Sequence, residues 1–217
     1  MKIIAHRGAW FGDSVENVAA CEKNSIEAFT TASRFRFGIE TDFRDICGTV
    51  VISHNPPQSD AIKAEDFFRL TFPGQIIAVN VKADGLAQKL KTLWRSEAPE
   101  VFPFAFDMSV PDTIGYVEAQ FPFFERQSEY EQKRVWDSAS GFWLDGFNGQ
   151  WFHTSDIEKL LDIGNPVCVV SPELHGRSYL PVWKDLENLI NENHRYSENL
   201  WLCTDRPFEA RRFFKDN

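Results

Sequence analysis

The chain has 217 residues, 43% hydrophobic and 25% charged, a balance that fits one folded domain or at most two small ones. Its net charge of −9 and pI near 5.1 exclude a general nucleic-acid binder, which needs a basic face to release counterions from phosphates. No stretch approaches the run of about 18 apolar residues that a spanning helix requires. Only Ile3, Ile4 and Ala5 lie between Lys2 and His6, so no signal-peptide core is expected.

In chain order, short apolar runs bounded by turn residues predict eight strands: "KIIAH", "GIETDF", "QIIAVNV", "FPFAFD", "FPFFER", "GFWLD", "PVCVVS" and "NLWLC". Between them "NSIEAFTTASRF", "GLAQKLKTLW", "SVPDTIGYVEAQ", "TSDIEKLLDIG" and "FEARRFFKD" have helical periodicity. Ser109, Thr154 and Ser155 are candidate caps, Gly164 a stop and Pro207 a start. A weaker helical segment, "SEYEQKRVWD", follows the fifth strand. An extra strand, "TVVISH", is expected to form a hairpin with the second through Cys47 and Gly48. Strands alternating with helices imply βαβ units and a parallel sheet, so the expected fold is α/β, a (β/α)8 TIM barrel in a single domain over residues 1–217. Cys21, Cys47, Cys168 and Cys203 form no C-x-x-C, which suits thiols in a reducing cytoplasm.

In such a barrel the chemistry lies at the carboxyl ends of the strands. Those ends carry His6 and Arg7, Glu40 and Asp42, Asn80 and Lys82, Asp107, Glu125 and Arg126, Asp145, Ser171 and Glu173, and Thr204 and Asp205. One or two polar ends are ordinary turns; so many groups of catalytic type point to a site. Glu40 and Asp42, at i and i+2, share a strand face roughly 6–7 Å apart, where they are either solvated acids or ligands of a hard cation. Asn80 and Lys82 repeat that spacing, offering an amide oxygen and an ammonium. His6 and His54 are candidates for acid/base work, with His175 a third, and Arg7 supplies a forked donor for phosphate or carboxylate. There is no G-x-S-x-G, Walker A, G-x-G-x-x-G or H-E-x-x-H motif.

Taken together, "AHRG", "NSIEAF", "GIETDFRD" with "GTVVISHN", "NVK" and "CTDRP" resemble the glycerophosphodiester phosphodiesterase family of phospholipase-C-like barrels. The resemblance covers the first third of the chain and its end. It implies metal-dependent hydrolysis of a small phosphodiester. His6 and His54 would be the acid/base pair, and Arg7 and Lys82 the phosphate ligands. Glu40, Asp42 and Asn80 would hold one divalent cation, Mg²⁺ or Ca²⁺. Arg126 and Glu173 are assigned to the substrate. The expected partner is a small-molecule phosphodiester, with no nucleic acid and no membrane insertion, in the cytoplasm.

The chain also departs from that family. Asn80 stands where the family usually has a glutamate, two residues before its lysine, so the cage loses a negative charge; Glu125 and Glu173 are candidates to replace it. Lys23 precedes the Asn of the first helix, where Glu is usual, and Asn55 follows His54, where Asp is common. The alternative reading is a catalytically altered barrel that binds a phosphorylated or sugar ligand, or a related lyase or sugar-phosphate enzyme.

Overall fold

The computed structural model describes residues 1–131 and 136–215. All eight expected strands form: β1 (Lys2–His6), β2 (Gly38–Ile46), β5 (Ile76–Val81), β6 (Phe102–Phe106), β7 (Phe124–Gln127), β8 (Gly141–Leu144), β9 (Val167–Val170) and β10 (Leu200–Thr204). Two further strands, β3 (Thr49–Ile52) and β4 (Ile62–Lys63), are an antiparallel excursion from β2. The helices are α1 (Ile26–Arg34), α2 (Ala64–Phe68), α3 (Ala87–Glu97), α4 (Val110–Ala119), α5 (Thr154–Asp162), α6 (Leu180–Glu192) and α7 (Pro207–Lys215). This alternation around a mostly parallel sheet is the topology of a (β/α)8 barrel. Part of the weaker helical segment, residues 132–135, lies outside the described residues, as does Asp216 at the end of the last predicted helix. No helix among the described residues is long and apolar enough to cross a membrane.

The chain divides into two compact units. The N-terminal unit, Ala5–Phe123, contains the parallel ladder β2–β5–β6. Its core is aromatic. Phe43 and Phe29 meet the ring of Phe67 edge-on, at centroid distances of 5.8 and 4.8 Å, and Phe121 lies between Trp94 and Tyr116. The predicted β2–β3 hairpin turns through Cys47 (φ 48°) and Gly48 (φ 83°), a pair of positive φ values that matches the right-handed twist of the strands it joins. Ser25 caps α1 by accepting from Ala28 N, and Ser109 caps α4 by accepting from Asp112 N.

The C-terminal unit, Met1–Ile4 with Phe124–Asn217, contains the parallel ladder β7–β8–β9–β10. Phe142, Leu144, Val167, Val169 and Leu202 from its strands pack with Ile157, Trp183 and Leu186 from α5 and α6. The start of α5 departs from the expected cap. The helix begins at Thr154 and His153 occupies the cap position, because the Asp156 carboxylate accepts the His153 N–H at 3.1 Å. Pro207 opens α7 as expected.

Candidate functional site

In the N-terminal unit the chain leaves β1 through a strained turn. Arg7 has φ 56°, a left-handed conformation uncommon for a side chain of this size. Its N–H is shared between the Glu40 carbonyl at 2.8 Å and Glu40 Oε2 at 3.1 Å. Gly8 follows at φ 83°, where an added Cβ would lie 2.7 Å from Ala28 Cβ and 2.8 Å from its backbone carbon. The "HRG" tripeptide is thus a turn in which glycine permits both the backbone conformation and contact with α1.

Glu40 and Asp42, 1% and 0% exposed, lie on one face of β2. Asn80 is the register partner of Asp42 on β5. Asn80 Nδ2 donates to Glu40 Oε1 at 3.1 Å, and His6 Nε2 lies 3.8 Å from Glu40 Oε2. Asp42 sits between two cations: Arg7 Nε is 3.2 Å from Oδ2 and Lys82 Nζ is 3.6 Å from Oδ1. Lys82 also reaches Asp107 Oδ2 at 3.8 Å, and Asp107 is a second site residue at positive φ, 66°.

Asn24 completes this centre. Its Nδ2 donates to Asp42 Oδ2 at 2.9 Å, its Oδ1 accepts from Thr41 Oγ1 at 2.8 Å, and its N–H reaches the Arg7 carbonyl at 3.0 Å. Reading strand ends alone misses it, because it lies beyond the loop after β1. The signal was the asparagine directly before the Ser25 cap in "NSIEAF", at φ 57°, a conformation asparagine tolerates better than most residues.

Burial pushes the Glu40 carboxyl above the ordinary carboxylate range. Asp42 adds to that rise, while His6, the Asn80 amide and Arg7 oppose it. Three buried polar atoms of the centre make no hydrogen bond: Arg7 Nε, Asp42 Oδ1 and Asn80 Oδ1. Arg7 Nε and Asp42 Oδ1 take part in the ion pairs above, which leaves the acceptor Asn80 Oδ1 unfilled, and a buried group of this kind is costly to leave so.

A hard divalent cation is poorly matched by these groups. Among the described residues, no group of three or more His, Cys, Asp or Glu side chains could hold a metal ion. Asp42 is already compensated by Arg7 and Lys82, Glu40 is engaged by His6 and the Arg7 N–H, and at the third position the Asn80 amide turns an N–H donor toward Glu40. Mg²⁺ and Ca²⁺ take oxygen ligands and favour a net negative cage. The acids expected to replace the missing charge belong to the C-terminal unit and are engaged there. Glu125 Oε2 accepts from Trp136 N at 2.8 Å; Glu173 accepts from the Ser171 and Thr204 hydroxyls and from Asp205 N at 3.1 Å.

The structure therefore brings His6, Arg7, Glu40, Asp42, Asn80 and Lys82 together. His54 lies on the exposed segment after β3, which is tied to the middle of β2 by Ser53 N donating to the Asp42 carbonyl at 2.9 Å. Its ring Nδ1 is 3.0 Å from Asn55 Oδ1. Arg126, in the C-terminal unit, pairs with Glu131 at 2.7 Å.

Fold and site define a (β/α)8 barrel with a buried, charge-compensated polar centre at the carboxyl ends of β1 and β5 and the middle of β2. The chain is similar in structure to the crystal structure of glycerophosphodiester phosphodiesterase from Agrobacterium tumefaciens, with a TM-score of 0.61 and 17% identity over 99% of each chain. At that identity the likeness is one of fold. No protein-family model and no curated protein matches the chain.

Proposed function

We propose that the chain is a variant of the glycerophosphodiester phosphodiesterase type of barrel that binds the phosphate group of a small phosphorylated molecule without a tightly held divalent cation. The observation that carries this reading is the double role of Arg7 and Lys82, which neutralise Asp42 from inside the site. Their side chains are 23% and 22% exposed, so each still presents donors outward. A guanidinium has five N–H donors and an ammonium three, more than these ion pairs consume. A phosphate oxygen arriving at the strand ends meets that positive edge. Low-dielectric surroundings strengthen that contact.

A second reading, hydrolysis of a phosphodiester, is favoured by His6, whose ring stands beside the Glu40 carboxylate at the end of β1. Hydrolysis needs one group to take a proton from the attacking oxygen and another to give one to the leaving oxygen. In this reading His6 and His54 share those roles, Glu40 orients the His6 ring, and Arg7 and Lys82 stabilise charge on the nonbridging oxygens.

The two readings separate in one assay. The protein is incubated with glycerophosphocholine and bis(p-nitrophenyl) phosphate, with EDTA or with Mg²⁺, Ca²⁺ or Mn²⁺, beside His6→Ala and Glu40→Ala. Binding without turnover under every condition supports the proposal. Metal-dependent turnover that both substitutions abolish replaces it with the hydrolytic reading.

A further inference from the structure

The C-terminal unit carries a cluster of catalytic-type groups that the phosphate site does not use. Asp145, just past the end of β8, and His175, on the short 3-10 turn Pro172–His175 after β9, approach to 2.7 Å between Oδ1 and Nε2. The Asp145 side chain is 11% exposed and the imidazole 23%. A carboxylate bound to one ring nitrogen fixes the tautomer: Nε2 carries the proton and Nδ1 keeps its lone pair. The structure gives His175 Nδ1 no hydrogen-bond partner among the described residues.

Both loops are held in place by side-chain hydrogen bonds. After β8, Glu129 accepts from the N–H groups of Phe147 at 3.1 Å and Asn148 at 2.6 Å. The Trp151 indole donates to the Asp145 carbonyl at 2.6 Å, and Arg177 donates to the Gly146 carbonyl. After β9, Glu173 fixes the other loop through Ser171, Thr204 and Asp205. An imidazole buttressed from both sides is held to the tolerance that a binding contact needs.

The chemistry of the ligand follows from what is left over. The neighbouring charges are of both signs and are already used: Arg126 pairs with Glu131, Arg177 holds Gly146 and Glu129 holds two backbone N–H groups. Neither an anion nor a cation is favoured. The imidazole acceptor is flanked by the Phe147 ring at 5.2 Å, and that ring by Tyr130, 70% exposed, at 6.1 Å. A neutral hydroxyl donor with C–H faces for the rings meets these conditions.

We infer that the Asp145–His175 pair is a binding centre in its own right, where His175 Nδ1 accepts a hydrogen bond from a hydroxyl of a neutral polyhydroxylated small molecule lying beside Phe147. Asp145 is a positioning residue that keeps the ring in the accepting tautomer.

The test is two-bond ¹H–¹⁵N spectroscopy of the full chain labelled at its histidines, titrated separately with glycerol, myo-inositol and glucose. His175→Gln assigns the signal. The expected result is an Nε2–H tautomer for His175 and a saturable Nδ1 shift with at least one polyol, reduced in Phe147→Leu. In Asp145→Asn the tautomer preference and the shift should both be lost. A protonated Nδ1, no saturable shift with any polyol, or the same shift in Asp145→Asn overturns the inference. If Asp145→Asn does not fold, the wild-type titration and Phe147→Leu decide it.

Discussion

Asn80 Nδ2 donates a hydrogen bond to Glu40 Oε1 at 3.1 Å, within the ladder that pairs β2 with β5. At a position where a carboxylate would repel Glu40 and attract a cation, the amide instead satisfies it. Asn80→Asp should therefore destabilise the protein in EDTA and create a response to divalent ions. Thermal unfolding with and without Ca²⁺ or Mg²⁺ checks this. Tm should rise with either ion in the variant and stay constant in the wild type, since a ligand that binds the folded state stabilises it by mass action. A wild-type Tm that rises equally would show that the native donor set already holds the ion.

Glu40 gives a pH dependence of defined sign. Burial raises its carboxyl above the ordinary range, so in that interval the folded state holds the proton more tightly than the unfolded chain. Stability then falls as pH rises from the unfolded carboxylate value, about 4.3, through the raised folded value. Glu40→Gln removes the titration. Its stability relative to wild type should be greater at pH 7 than at pH 4, as read from urea unfolding at the two values. A constant difference would mean that the buried carboxyl is not strained in its charged form.

Asn24 links three parts of the centre, Arg7, Thr41 and Asp42. Asn24→Ala leaves Asp42, already fully buried, without its amide donor. A hydrogen bond to a charged group contributes about 1.5–3 kcal/mol, and a loss of that order is expected in denaturant unfolding, with weaker binding of glycerol 3-phosphate. A loss below about 0.5 kcal/mol would remove Asn24 from the site.

Gly8→Ala should cost at least about 1–2 kcal/mol, the price of a left-handed conformation for a residue with a Cβ. The contact with Ala28 adds to it, because the atoms that would have to move include backbone. An unchanged Tm would contradict the close approach of β1 to α1.

The parallel strands were legible because each is a short apolar run closed by polar residues, and a period of two or a continuous run needs no tertiary information. β4 and α2 were not, being two and five residues long, too short for any period to register. Glu40, Asp42, Asn80 and Lys82 could be placed on adjacent strand ends from spacing alone. How they pair could not: the compensation of Asp42 by Arg7 and Lys82 depends on rotamers and on the strained turn at Arg7. The same spacing that suggested a metal cage also fits an internally neutralised centre. The Asp145–His175 pair was half visible, Asp145 at a strand end and His175 as a third histidine candidate in its loop, but their contact joins loops 30 residues apart in sequence.

The most direct measurement is calorimetric titration of glycerol 3-phosphate into the protein in EDTA and again with excess Mg²⁺ or Ca²⁺, beside Lys82→Met. The account expects the same affinity in all three buffers and a loss of at least about tenfold, 1.4 kcal/mol, in the variant. Binding that appears only when a divalent ion is added, or that survives unchanged in Lys82→Met, would contradict it.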